Sequence, residues 1–179
     1  MALSGNELLY VQGVNNNQLS PITEAATTGQ IANLALTSSA PVAAGSSLIL
    51  TSANAGVTVL LNTAAGSTVT LPAATGTGIK YRFVVTTTLT SNANKILAAS
   101  TADFINGIAI GENSNTAKVF VSAPSTNHSI QMPYAGTQPS GGFVGDYFDF
   151  QDIATNLWQV SGTYQAGTTP TTPFSSADS

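Results

Sequence analysis

The chain has 179 residues, of which 7% are charged and 42% are hydrophobic, and its formal net charge is −4. The basic residues Lys80, Arg82, Lys95 and Lys118 form no cluster, which argues against direct binding to nucleic acid or to an anionic membrane surface. There is no cysteine, so disulfides and thiolate metal sites are excluded. Low charge combined with high apolar content predicts a folded domain whose surface carries uncharged hydroxyl and amide groups.

The N-terminal sequence lacks the basic and apolar regions of a secretory signal. No apolar run approaches the roughly 20 residues that a membrane helix needs. We therefore expect no cleaved leader, no membrane span, and synthesis in a cytoplasm.

Residues 1–40 are predicted to form an extended N-terminal arm. Leu8–Val14 is rich in strand-forming residues, and Thr28 can cap a helix that runs to Ala35. A helix of about two turns is stable only against another surface, so we expect the arm to become ordered by binding another protein. The apolar residues that would make this contact are Leu8, Leu9, Tyr10, Val11, Val14, Leu19, Ile22, Ile31, Leu34 and Leu36.

Residues 41–162 are predicted to form an all-β body, an antiparallel β-sandwich resembling a jelly roll. The alternation of apolar and polar residues, interrupted by turn signals, favours this fold over a parallel sheet, which would require helices between its strands. The dipeptide Asn106–Gly107 predicts a type I′ hairpin turn. The predicted strands lie within Ser47–Ala53, Val57–Asn62, Ser67–Ala73, Lys80–Leu89, Phe104–Ile110, Ala117–Ala123, Asp146–Ile153 and Leu157–Gly162.

Residues 163–179 are rich in Thr, Ser, Pro and Gly and contain few apolar side chains. We expect this C-terminal tail to be flexible or to lie loosely on a partner.

The sequence does not predict an enzyme. His128 is the only histidine, and no Gly-x-Ser-x-Gly nucleophile motif is present. We therefore predict that His128 is a solvated loop residue, and we expect no cofactor. The glycine pairs Gly76/Gly78 and Gly141/Gly142 lack the strand-to-helix context of a phosphate-binding loop and are interpreted as turns.

Asp146, Asp149 and Asp152 are the densest acidic group in the chain. In a regular strand, residues three apart lie on opposite faces, so these carboxylates converge only at a bulge or a strand end. If they did converge, these carboxylates could form a calcium site together with Asn156 and backbone carbonyls. The favoured interpretation is three polar positions on a half-exposed strand, with no metal and no glycosidase pair.

The aromatic residues are concentrated in the last third of the chain. Trp158, together with Val160, is predicted to face the core, while an exposed aromatic ring could stack on a sugar, which leaves a glycan-binding platform open. The residues considered for these two positions are Tyr134, Phe143, Tyr147, Trp158 and Tyr164.

Several segments resemble small structural proteins of tailed bacteriophages. The opening MALSGNELLYVQG and the later TEAATTGQIANLA are similar to the beginning of such proteins. AAGSTVTLPAATGTGIKYRFVV resembles their β modules, and GDYFDFQDIATNLWQVSG resembles the closing strand pair of those modules. The nearest resemblance is to head decoration proteins, also called cement proteins.

This resemblance implies a virion protein that is made in the host bacterial cytoplasm and binds the outer capsid surface. It would contact neighbouring major capsid subunits and stabilise the DNA-filled head, and it would form a homotrimer. Ile105, Ile108 and Ile110 could supply the trimer interface, or could belong to the core of one subunit. Similar modules also occur in head fibres and tail fibres, so the alternative is a fibre module that binds a host receptor or glycan.

Overall fold

The computed structural model describes residues 40–177. All ten residues predicted to make the capsid contact, from Leu8 to Leu36, therefore lie outside the described residues. The described segment is almost entirely β-structure, with one short 3₁₀ turn at Ser52–Asn54. Its strands are β1 Val42–Ala43, β2 Ser47–Ile49, β3 Thr58–Leu61, β4 Thr68–Thr70, β5 Lys80–Val85, β6 Ala93–Leu97, β7 Phe104–Asn113, β8 Thr116–Val121, β9 Ser129–Ala135, β10 Gln138–Pro139, β11 Tyr147–Ala154, β12 Leu157–Gln165 and β13 Phe174–Ser175.

The strands form two sheets that share one hydrophobic core. The seven-stranded sheet has the order β1-β3-β5-β11-β12-β7-β8. The six-stranded sheet has the order β10-β9-β6-β4-β2, with β13 added onto β9. The predicted all-β sandwich is confirmed.

Both sheets are mixed rather than purely antiparallel. In the first half of the body, β1, β3 and β5 are parallel neighbours in one sheet, while β2, β4 and β6 are parallel neighbours in the other. Successive strands in this half alternate between the two sheets. Each connection between two parallel neighbours therefore runs through a strand of the opposite sheet, where an α/β fold would use a helix. The expectation that parallel pairing requires helices was therefore wrong for this chain.

The core follows the predicted alternation closely. Tyr81, Phe83 and Val85 of β5 are buried, as are Phe148 and Phe150 of β11. The rings of Phe83 and Phe150 meet edge to face, with their centroids 5.3 Å apart. This edge-to-face contact joins the buried faces of β5 and β11, which pair directly.

Trp158 and Val160 face the core, as predicted. Trp158 is fully buried, and its ring centroid lies 5.9 Å from that of Tyr81. The hydroxyl of Tyr81 donates a hydrogen bond to the Thr51 carbonyl at 2.8 Å. This bond satisfies the polar end of a buried aromatic residue.

Asn106–Gly107 is not a turn, because both residues lie inside the continuous strand β7. Gly107 lies opposite Val160 of β12. A Cβ atom at Gly107 would be 1.8 Å from the Val160 carbonyl oxygen, so this position requires glycine for close strand approach rather than for chain reversal.

The C-terminal residues to position 177 pack on the body, which corrects the prediction of a loose tail. β12 continues to Gln165, and β13 pairs with β9. Tyr164 and Phe174 are buried, and the Tyr164 hydroxyl donates a hydrogen bond to the Thr171 carbonyl. Two buried aromatic side chains and the pairing of β13 with β9 thus anchor a segment whose composition is otherwise polar.

Candidate interaction surface

An apolar surface lies at the β7–β8 edge of the seven-stranded sheet. Ile108 lies opposite Val121, and Ile110 lies opposite Val119. The exposed fractions of these side chains are 49% for Ile108, 42% for Ile110, 65% for Val119 and 70% for Val121. We call these four residues the apolar ribbon. Exposed apolar side chains in adjacent cross-strand pairs form one continuous patch and are a common feature of protein interaction sites.

The strand period explains why only part of the predicted interface is on the surface. Ile105 and Ala109 point into the sandwich and are fully buried, whereas Ile108 and Ile110 point outward. Ile105 therefore belongs to the core of the subunit, and Ile108 and Ile110 remain candidates for an interface.

Val119 and Val121 were not identified from the sequence. They alternate with Phe120, which is half-buried and stacks on Tyr164 with a centroid distance of 6.3 Å. The signal was present in the segment AKVFVSA, where apolar residues occupy both faces of one strand. A strand that is apolar on both faces and lies at the edge of a sandwich must expose one of them.

β8 is the last strand of its sheet, and no other described strand pairs with its outer edge. An edge strand offers backbone N–H and C=O groups to a further strand. The apolar ribbon and this edge are contiguous, so a partner can bury side chains and form backbone hydrogen bonds at one place.

Asp146 is a structural carboxylate beside the end of β12. It accepts hydrogen bonds from the backbone N–H groups of Gly142, Phe143 and Gln165, at 2.7, 3.0 and 2.9 Å respectively. Burial raises the pKa of Asp146 to about 6, although these three hydrogen bonds act to lower it, and the nearby Glu112 raises it further. Asp146 therefore joins the loop before β11 to β12.

Asp152 has a comparable role at the other end of β11. It accepts hydrogen bonds from the backbone N–H groups of Thr75, Gly76 and Thr77, and from the Thr77 hydroxyl at 2.8 Å. Burial acts to raise the pKa of Asp152, but the bonds from Thr77, Gly76 and Thr75 together lower it below the ordinary value. Asp152 thus anchors the loop that precedes β5.

Asp149, between these two residues, points to the outer face. Its carboxylate lies 3.7 Å from the guanidinium of Arg82, and both side chains are nearly half exposed. The prediction of half-exposed strand positions is confirmed for Asp149, but it was wrong for Asp146 and Asp152, which are buried. The three carboxylates do not converge, and within residues 40–177 no group of His, Asp and Glu side chains could hold a metal ion.

His128 is buried, with 8% of its surface exposed, which corrects the prediction of a solvated loop residue. Its backbone N–H donates to the Ser175 carbonyl at 3.1 Å, and its carbonyl accepts from the N–H of Ala98 at 2.9 Å. The C-terminal strand β13 therefore borders His128.

The late aromatic residues do not form an exposed stacking platform. Trp158 and Tyr164 are core residues, whereas Tyr134, Phe143 and Tyr147 are half-buried. The guanidinium of Arg82 lies 4.5 Å from the centre of the Tyr147 ring, so a cation already covers that ring.

Among the residues described by the structure, no helix has the length and apolar character needed to span a membrane. Comparison of the chain with protein-family models, with curated proteins and with solved structures finds no match.

Proposed function

We propose that this chain is a structural virion protein that binds the outside of a tailed-bacteriophage capsid and cements neighbouring major capsid subunits. The observation that carries the proposal is the apolar ribbon on the free edge of the sandwich. The resemblance of several segments to head decoration proteins is the reason for proposing a bacteriophage capsid as the binding partner.

The apolar ribbon is assigned to contacts between copies of the chain in a homotrimer. Its four exposed side chains present roughly 400 Å² of apolar surface, the size of the largest patch on a typical monomer. That is about half of the ~800 Å² that one partner buries in a standard interface. Ribbon side chains at the centre, with the backbone edge of β8 and neighbouring polar residues at the rim, would account for a complete subunit contact.

The arm, residues 1–40, is assigned to the major capsid protein. A chain with 7% charged residues and a net charge of −4 has little long-range electrostatic steering, so binding must come from apolar burial and backbone pairing. Three arms on one trimer would bind with an avidity far above that of one arm. A trimer that bridges adjacent capsid subunits would resist their separation under internal DNA pressure.

The proposal is tested by adding the purified chain to DNA-filled heads that lack it. We expect the protein to sediment with the heads and to form trimeric density on the outer surface in particle images. We also expect heads carrying the protein to release DNA at a higher temperature than bare heads. Absence of binding to heads, or density only at the tail, would contradict the proposed role.

A further inference from the structure

The outer face of the seven-stranded sheet also contains a polar groove that borders the apolar ribbon, because Ser161 of the groove lies opposite Ile108 of the ribbon. The groove has a volume of about 510 Å³ and crosses β3, β5, β11 and β12. Its polar lining includes Lys80, Arg82, Asp149, Gln151, Gln159 and Ser161.

The strand register arranges these side chains in two parallel rows. Gln151 lies opposite Lys80 on one side and Gln159 on the other, and Asp149 lies between Arg82 and Ser161 in the same way. Because neighbouring strands are about 4.8 Å apart, each row extends for about 10 Å across three strands. The floor of the groove is therefore an array of hydrogen-bonding groups whose length matches that of a short oligosaccharide.

The row formed by Lys80, Gln151 and Gln159 ends beside a polar atom that has no hydrogen-bond partner among the described residues. Asn106 lies opposite Gln159 on the next strand, and its buried Oδ1 has no hydrogen-bond partner among the described residues. A buried acceptor without a donor is unfavourable. Because this Oδ1 is closed to solvent, a ligand in the groove does not contact it, and binding depends on the exposed side chains of the two rows.

The groove concentrates positive charge in an acidic protein. It contains two of the four basic residues of the chain, Lys80 and Arg82, and one carboxylate, Asp149. Asp149 pairs with Arg82, whereas Lys80 forms no ion pair with any described residue. Arg82 is held between the Asp149 carboxylate and the Tyr147 ring, so its orientation is set before a ligand binds.

We propose that this groove binds an acidic saccharide, a short oligosaccharide that carries a uronic acid carboxylate. Amide and hydroxyl side chains both donate and accept hydrogen bonds, which matches sugar hydroxyl groups. The Lys80 ammonium forms a charge-assisted bond with the carboxylate. Two cations, one of them already paired, are too few for a nucleic acid backbone. The inference does not depend on the capsid role and holds wherever on a virion the protein sits.

The test is calorimetric titration of the full-length protein with uronic acid tetrasaccharides of hyaluronan, polygalacturonate and alginate. Chitotetraose serves as the neutral probe, because it shares the N-acetylglucosamine units of hyaluronan but has no carboxylate. We expect at least one acidic tetrasaccharide to bind about tenfold more tightly than chitotetraose, which corresponds to one charge-assisted hydrogen bond.

Two sets of variants locate the binding. Lys80→Gln should lower the affinity about tenfold. Lys118→Gln removes the same charge from the exposed strand β8, outside the groove, and should leave the affinity unchanged. Gln151→Ala and Gln159→Ala should each weaken binding of the acidic probe, with thermal unfolding confirming that every variant is folded.

Four results would overturn the inference. One is the absence of binding for all three acidic probes at millimolar concentration. Another is an equal loss of affinity in Lys80→Gln and Lys118→Gln, which would show only general attraction of anions. A third is undiminished affinity in both glutamine variants, which would point to a simple anion site. The last is tighter binding of a hexaglutamate peptide than of the acidic tetrasaccharides, which would point to a protein ligand.

Discussion

Ile110 of β7 lies directly opposite Val119 of β8, and both side chains remain exposed on the outer face of the sheet, by 42% and 65%. Replacing both residues by serine should convert the proposed trimer to monomers, because one of the two cross-strand pairs of the apolar ribbon is lost. Light scattering after size exclusion measures the change. The monomers should remain folded and show a cooperative unfolding transition, since neither side chain belongs to the core.

The matched control is Ile153→Ser combined with Val144→Ser. These residues are 45% and 57% exposed, but they lie outside the ribbon. This control should remain trimeric. A trimer that survives the ribbon variant, or dissociates equally in the control, would show that the interface lies elsewhere.

The arm and the ribbon are predicted to act separately. Replacement of Leu8, Tyr10 and Val11 by serine should abolish binding to heads, because these side chains are the proposed contacts with the major capsid protein. The same variant should still form trimers. Full head binding by this variant, measured by co-sedimentation, would disprove the assigned role of the arm.

Asp152 and Asp149 lie on the same strand and should differ strongly in their contribution to stability. Asp152→Ala leaves the N–H groups of Thr75, Gly76 and Thr77 without their acceptor, and it should lower the free energy of unfolding by about 3 kcal/mol. Asp149→Ala removes an exposed ion pair with Arg82 and should cost less than about 1 kcal/mol. Urea unfolding at pH 7 compares the two variants, and equal losses would contradict the anchoring role.

The effect of Asp152→Ala should also depend on pH. The pKa of Asp152 is lowered on folding, so its contribution is present above the unfolded value of 3.8 and is lost as the pH falls through the folded pKa. The stability difference between wild type and variant should therefore shrink in strongly acidic solution. A difference that stayed constant down to the lowest pH at which the protein folds would contradict this assignment.

Asp146 should show the opposite pH dependence. Burial raises its pKa from 3.8 to about 6, so the protonated carboxyl stabilises the fold below pH 3.8, and this contribution is lost as the pH rises through 6. A pKa shift of this size corresponds to a change of about 3 kcal/mol in the free energy of unfolding. Asp146→Asn cannot titrate, so its stability relative to wild type should improve by about that amount between pH 4 and pH 7. Denaturation curves at several pH values measure this, and parallel pH profiles for the two proteins would refute it.

Local sequence patterns identified much of the sandwich. The burial of Phe83, Phe148 and Phe150 agrees with the alternation of apolar and polar residues in Lys80–Val85 and Tyr147–Ala154. The predicted strands do not include β6 or β9. Ala93–Leu97 contains asparagine and lysine, and Ser129–Ala135 contains proline. In β6, Asn94 is nonetheless buried and accepts a hydrogen bond from the Ser67 N–H at 2.9 Å. A polar residue with a specific partner can thus occupy a core position.

Sequence by itself determined that this protein is built from strands, because a period of two is a property of neighbouring residues. Only the tertiary structure decided which positions are covered. It separated Ile105 from Ile108, placed Asn106–Gly107 inside a strand, and paired Asp152 with Thr75, a residue 77 positions away. Alternation assigns residues to two opposite faces, but the packing of distant strands selects the face that water reaches. Contacts between residues far apart in the chain leave no signal in a local pattern.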